Sequence, residues 1–270
     1  MIGRASRSSG SEAADSGLPV RRVGGGFRRP AGVCHDAVMA DTRPALVGLL
    51  APMPSEMSPL AKELSLSRED DARVYRGKAG AVELIGARTG IGTKRARDAT
   101  ARLLDTAPIE HVVVVGIAGG MGASKVGDVL FPEVVALKDT RAEFRASPIG
   151  DIAPSGRLVT HDDFDLGPDE TARLVGDGYV AVDMETAAIA EVCAQRGCPW
   201  TAVRAISDLV GVTPGDVIDL ANPDGSPNIG ASLKYLVTKP WQIPKLVRLA
   251  VDSQKAANAA ARAAGRALRS

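Results

Sequence analysis

The chain has 270 residues, 45% of them hydrophobic and 24% charged, and 33 Lys plus Arg against 32 Asp plus Glu leave a net charge of +1. That balance excludes a whole-chain field pulling the protein toward nucleic acid or anionic lipid, and an aromatic content of 3% argues against stacking platforms for single strands or sugars. Cys34, Cys193 and Cys198 form no Cys-x-x-Cys pair, and His35, His111 and His161 are scattered, so neither a disulfide framework nor a metal site is expected. A reducing, cytoplasmic setting and chemistry without a cofactor are the corresponding expectations.

Residues 1–44 place Gly24, Gly25 and Gly26 among Arg21, Arg22, Arg28 and Arg29, with no apolar periodicity and no apolar core of a secretory signal. Such a stretch reads as a disordered extension. From Ala45 short apolar runs alternate with helical segments, the pattern of an α/β domain with a largely parallel sheet. Strands are predicted at Ala45–Leu50, Val82–Ala87, His111–Val115, Val126–Phe131, Gly156–Val159, Tyr179–Val182 and Trp200–Ile206. Helices are predicted at Ser55–Leu64, Gly92–Leu104, Pro168–Leu174, Glu185–Gln195 and Pro244–Leu268. Residues 45–238 show no internal boundary and read as one catalytic domain. Pro240 and Pro244 precede the last helix, so 239–270 is expected to be a separate basic appendage. There Lys245, Arg248, Lys255, Arg262, Arg266 and Arg269 face the single acid Asp252. A solvated face is the expected role of these charges, with membrane contact the lesser alternative.

Three segments put small or acidic residues where strands stop. Gly116-Ile117-Ala118-Gly119-Gly120 follows Val112–Val115 and reads as a glycine-rich turn that lets a ligand approach backbone N–H groups. It is neither Gly-x-Gly-x-x-Gly nor a P-loop, so no dinucleotide or nucleoside triphosphate is implied. Val182-Asp183-Met184-Glu185 leads a strand into a small-residue helix. There Glu185 is either a helix-start acid favoured by the macrodipole or an acceptor for paired ribose hydroxyls, with Met184 as an apolar floor. Val203-Arg204-Ala205-Ile206-Ser207-Asp208 delivers a carboxylate to the strand end where open α/β sheets bind ligands. Strand alternation would put Arg204, Ile206 and Asp208 on one face and Ser207 on the other. Asp208 is either an acid whose pKa its apolar neighbours raise, or an ion-pair or capping residue.

With these segments, Val47-Gly48-Leu49-Leu50-Ala51-Pro52-Met53-Pro54-Ser55-Glu56-Met57, Thr89-Gly90-Ile91-Gly92, Lys125-Val126-Gly127-Asp128 and Asp162-Asp163-Phe164 complete a series in fixed order. The series resembles the nucleoside phosphorylase superfamily, and most of all the 5′-methylthioadenosine/S-adenosylhomocysteine nucleosidases, over roughly residues 45–220. The resemblance implies a three-layer α/β fold with a central mixed, largely parallel sheet flanked by helices. It also implies hydrolysis of the N-glycosidic bond of an adenine nucleoside and assembly as a homodimer. By the same resemblance, Asp208 protonates purine N7, Glu56 orients and deprotonates the water, Glu185 accepts the ribose diol and Met184 lies under the sugar. Arg204 neighbours the water, Phe164 stacks on the base, Met53 and Ile91 surround the ribose and its 5′ substituent, and Gly119 belongs to the substrate-binding glycine segment. Asp at 208 suits adenine, whereas relatives acting on 6-oxopurines, futalosine hydrolases among them, tend to carry Asn. Phosphorylases of the superfamily place Arg where this chain has Val114, which favours water as nucleophile, although Arg88 lies within reach of an anion. The family pattern has Ser or Thr at Ile117 and Glu at Asp183, and a longer lid-bearing segment where this chain has only residues 136–155. These departures keep a purine nucleoside phosphorylase, a futalosine-type hydrolase and a catalytically silent nucleoside-binding protein as competing readings.

Overall fold

A computed structural model describes residues 44–69, 73–163, 166–211, 220, 222–226, 228, 230, 234 and 238–270. The expectation of disorder for 1–44 falls outside these residues except at Pro44. Eleven strands among the described residues join one mixed sheet. They are β1 (Leu46–Ala51), β2 (Ser67–Arg68), β3 (Val74–Ala79), β4 (Val82–Arg88), β5 (His111–Gly120), β6 (Val129–Leu130), β7 (Val134–Leu137), β8 (Glu143–Arg145), β9 (Arg157–Thr160), β10 (Tyr179–Asp183) and β11 (Trp200–Leu209). The helices are α1 (Pro54–Glu63), α2 (Thr93–Thr106), α3 (Pro168–Gly176), α4 (Thr186–Arg196) and α5 (Ile243–Arg269).

The order β2-β3-β4-β1-β5-β10-β9-β7-β8 makes β5 the centre, and β11 pairs with its other length. β1 runs parallel to β4 and to β5, and β11 runs parallel to β5, so Ala51, Arg88 and Asp208 all leave the sheet at one edge. The central strands are apolar on both sides because helices cover both faces. On one face Val113, Val115, Val203 and Ala205 pack with Met57 and Leu60 of α1 and the alanines of α5. On the other, Val112, Val114, Ala202 and Ile206 pack with Ala187, Ile189 and Ala190 of α4 and Ala96 and Leu103 of α2.

Three expectations change. The strand predicted to stop at Val115 continues through Gly120, so the glycine segment is sheet, with Gly119 and Gly120 paired to Val182 and Ala181 of β10. The two-residue alternation of β11 holds only as far as Ile206, because the register slips between Ile206 and Asp208 and leaves Ser207 as a bulge. The last helix is no appendage: Ala256, Ala260, Ala261, Ala263, Ala264, Ala267 and Leu268 are buried in the core beside α1, β5 and β11. The sequence displays its arginines, while the packing surface is alanine, which lets helix and sheet approach closely. β2, β3, β7 and β8 were not anticipated. The hairpin β3–β4 turns at Gly80, whose φ of 61° suits glycine.

Candidate functional site

The sheet edge collects its polar side chains from α1, α4 and the strands β9, β10 and β11. Glu56 sits in the first turn of α1, where its carboxylate receives the Met53 N–H at 2.8 Å, the reciprocal half of a capping box. Ordinary capping acids face water, but Glu56 is 2% exposed and also accepts the Ile117 N–H at 2.8 Å. Burial pushes its carboxyl up to about 7, against the pull of Arg204 and the two N–H donors. Glu185 stands at the N-cap of α4, yet its side chain makes no bond to that helix and accepts the Gly92 N–H, 3.0 Å away at the start of α2. Burial raises its carboxyl to about 8, with Arg204 opposing and Asp183 and Glu56 adding to the rise.

Arg204 is fully buried on β11 and is the cation at the centre of this cluster. Its Nη2 lies 2.6 Å from Asp183 Oδ2 and 3.7 Å from Glu185 Oε2, and its Nη1 lies 3.8 Å from Glu56 Oε1. It also donates to Thr186 Oγ1 from Nε at 3.0 Å and Nη2 at 2.8 Å, and to the Ile117 carbonyl at 3.3 Å. Three buried carboxylates therefore share one guanidinium, and the negative charge of Asp183 adds to the rise that burial gives Glu56 and Glu185. Asp183 is itself fixed by the Thr160 hydroxyl at 2.6 Å and by the Thr186 N–H. Thr160 and Thr186 thus close around Asp183 where it meets Arg204.

Asp208 is half-buried just beyond the bulge and accepts the Ser207 hydroxyl at 2.6 Å. The bulge carries it out of phase with Arg204, to the strand end. Met53, Ile91 and Met184 are half-buried along the same edge. Ile91 donates its N–H to the Pro223 carbonyl at 3.1 Å. Gly119 lies level with Asp208, its cross-strand partner, in β5 beside Val182 and Val210. Phe164 falls outside the described residues. Ile117 packs its side chain against the core that includes Met57 and Leu60 of α1, while its N–H donates to Glu56 and its carbonyl accepts from Arg204. Of the predicted residues, Glu56 and Glu185 both come within ion-pair reach of Arg204.

Sequence reasoning missed Thr160, Thr186 and the turn Asn222–Ser226, and it read Gly116 as part of a ligand-approach turn. The turn was legible as Asn-Pro-Asp-Gly, a strong turn tetrapeptide. Its Gly225 N–H bonds to the Asn222 carbonyl, and Gly225 itself abuts Met53. Gly116 has its meaning in space rather than in a turn, because a Cβ there would overlap Arg204 Nη1 and Glu56 Oε1 together. Gly116→Ala is therefore expected to lower turnover by about 100-fold or more, the effect of misplacing reacting groups by an ångström. Steady-state assay of a variant whose circular dichroism matches the wild type checks this; unchanged turnover would show that the Glu56–Arg204 geometry is immaterial.

Residues 46–159 and 150–226 match the phosphorylase superfamily. The chain belongs to that superfamily. It is 28% identical over 228 residues to the 5′-methylthioadenosine/S-adenosylhomocysteine nucleosidase of Tolumonas auensis, a match covering 70% of this chain and 99% of the relative. It is 30% identical over 196 residues to the nucleosidase of the same name from Glaesserella parasuis, covering 60% and 85%. Among solved phosphorylase-superfamily structures, the Neisseria meningitidis nucleosidase in complex with methylthio-immucillin-A superposes with a TM-score of 0.62 at 21% identity, covering 83% of this chain and 99% of that one. The Colwellia psychrerythraea nucleosidase with adenine gives 0.62 at 22%, covering 84% and 95%. The Helicobacter pylori futalosine hydrolase gives 0.58 at 18%, covering 80% and 94%. At these identities the superpositions establish a common fold, and the site chemistry must choose between activities.

Proposed function

We propose that the protein hydrolyses the N-glycosidic bond of a 5′-substituted adenosine of the methylthioadenosine or S-adenosylhomocysteine type, releasing adenine. The reading is carried by one observation: two buried carboxyls with raised pKa, Glu56 and Glu185, held beside Arg204 at the sheet edge where Asp208 emerges. Loss of the base leaves an oxocarbenium-like sugar, so the enzyme must protonate the departing purine and supply a deprotonated water opposite it. In this scheme Glu56, poised near neutrality, takes the proton of the water, which Arg204 helps to confine. Glu185 accepts hydrogen bonds from the ribose diol, Met184 lies beneath the sugar, and Met53 and Ile91 flank the ribose and its 5′ substituent. Gly119 leaves room in the floor of the substrate site, and Phe164 is assigned the stacking role.

Asp208 gives its proton to N7 while its other oxygen accepts from the 6-amino group. Ser207, donating to that carboxyl, fixes which way it faces. The carboxyl identity favours adenine over a 6-oxopurine, and the nucleosidase names of the relatives agree with it. A homodimer, the assembly implied by the resemblance, belongs to the same proposal. Asp208→Asn, which keeps shape but cannot give the proton, should lower adenine release from methylthioadenosine by about 100-fold or more. Chromatographic quantitation of adenine checks this, and retention of wild-type release by Asp208→Asn would remove the acid assignment.

A further inference from the structure

Helix α5 is about 40 Å long at 1.5 Å per residue, but the core uses only its second half. From Ala256 onward its small side chains are buried. Before that, Trp241, Ile243, Val247 and Val251 are 71%, 38%, 58% and 46% exposed. Ile243, Val247 and Val251 recur every four residues and so form one line along the helix, with Trp241 at its head. Arg248 and Lys255 stand beside this line, both exposed, whereas Lys245 projects from the opposite side of the helix. The nearby acid Asp252 lies 3.7 Å from Arg248 and 3.6 Å from Lys255.

The direction of the helix places this half. The Asp151 N–H reaches Ser270 Oγ at 3.3 Å, and the neighbouring Ser147 N–H bonds to the Trp200 carbonyl at the start of β11. The C-terminal end of α5 thus lies at the entry of β11, and the helix packs back along that strand. Its apolar half accordingly extends toward the edge where β11 delivers Asp208.

We propose that residues 241–255 form a docking surface for an anionic lipid bilayer. Trp241, Ile243, Val247 and Val251 enter the interface, and Arg248 and Lys255 meet the headgroups. Charge selects this occupant. A second copy laid on the same stripe about a two-fold axis would bring these cations against their own counterparts, with only Asp252 to offset them, whereas anionic headgroups complement them. Contact is peripheral, since no helix among the described residues is long and apolar enough to cross a membrane.

The test is co-sedimentation of the full chain with vesicles of phosphatidylcholine alone or mixed with phosphatidylglycerol, read together with tryptophan emission. The buried Trp200 supplies a constant background, so a blue shift lost in Trp241→Phe reports on Trp241. Pelleting with the anionic vesicles that weakens in salt is expected, as is a loss of about fivefold in partitioning for each of Arg248→Gln and Lys255→Gln. Val247→Asp, at an exposed position, should abolish pelleting while leaving hydrolysis of a soluble nucleoside unchanged. Absence of pelleting, or pelleting that survives all three variants, overturns the proposal. A concentration-dependent dimer in sedimentation equilibrium that Val247→Asp dissolves also overturns it, assigning the stripe to a second copy.

Discussion

Glu56→Gln is expected to reduce kcat for adenine release by about 10² to 10⁴, the usual contribution of a positioned general base. Gln preserves the volume and can still accept one of the two backbone N–H groups that reach this side chain, but it cannot take a proton from water. The wild-type enzyme should also reveal this residue in its pH profile. A base must be deprotonated to act, so activity is lost as pH falls through the pKa of the base. Burial places that pKa at about 7, not 4.5. The acid limb of kcat/KM should therefore begin near neutrality, fall about tenfold per pH unit, and be missing from the residual activity of Glu56→Gln. A limb near pH 4.5 would mean that water reaches Glu56 freely.

Arg204→Met is the most damaging single change for the fold. It is a volume-conserving replacement of a fully buried cation, yet it leaves Asp183, Glu56 and Glu185 buried without their shared counter-charge. Breaking a buried pair by removing one partner destabilises by about 3–5 kcal/mol, because the remaining charge stays desolvated. For a domain of this size that corresponds to a fall in the melting temperature of about 6–20 °C. Arg204→Lys should recover only part of it, since an ammonium cannot serve Thr186, Asp183 and the Ile117 carbonyl at once. The sign of the pH response is also fixed. Glu56 and Glu185 have folded-state pKa values above their unfolded ones, so the folded state holds their protons more tightly. Their ionisation detracts from stability as pH rises from about 5 to above 8. In the variant, where no cation opposes ionisation, that decline should steepen. Differential scanning calorimetry across this range is the measurement; a variant that melts with the wild type at every pH would show the cluster to be solvated.

The alternation of apolar runs and helical segments identified the α/β class, and the resemblance to the nucleoside phosphorylase superfamily picked out Glu56, Glu185 and Arg204, two carboxylates and the guanidinium around which the fold gathers them. What the sequence concealed has physical causes. The glycine segment resembled a turn because glycine marks turns most often. At Gly116 it marks instead a place where two charged side chains cross the backbone, a tertiary condition no local pattern expresses. Helix α5 looked detached because its sequence shows prolines and arginines, while the face that packs is alanine, whose burial leaves little trace in hydropathy. The bulge at Ser207 has no local signature and re-aims Asp208 relative to a simple alternation. Asp183 drew notice only as a departure from the family's Glu, although it makes the tightest ion pair with Arg204.

The central claim is that this cluster directs water at the glycosidic carbon of an adenine nucleoside. Its most direct test is incubation of the purified chain with methylthioadenosine in phosphate-free buffer, followed by identification of both products. Adenine together with free methylthioribose, at a rate indifferent to added phosphate, is the predicted result. Adenine that appears only with phosphate and accompanies a sugar phosphate, or no adenine from any 5′-substituted adenosine, would contradict it.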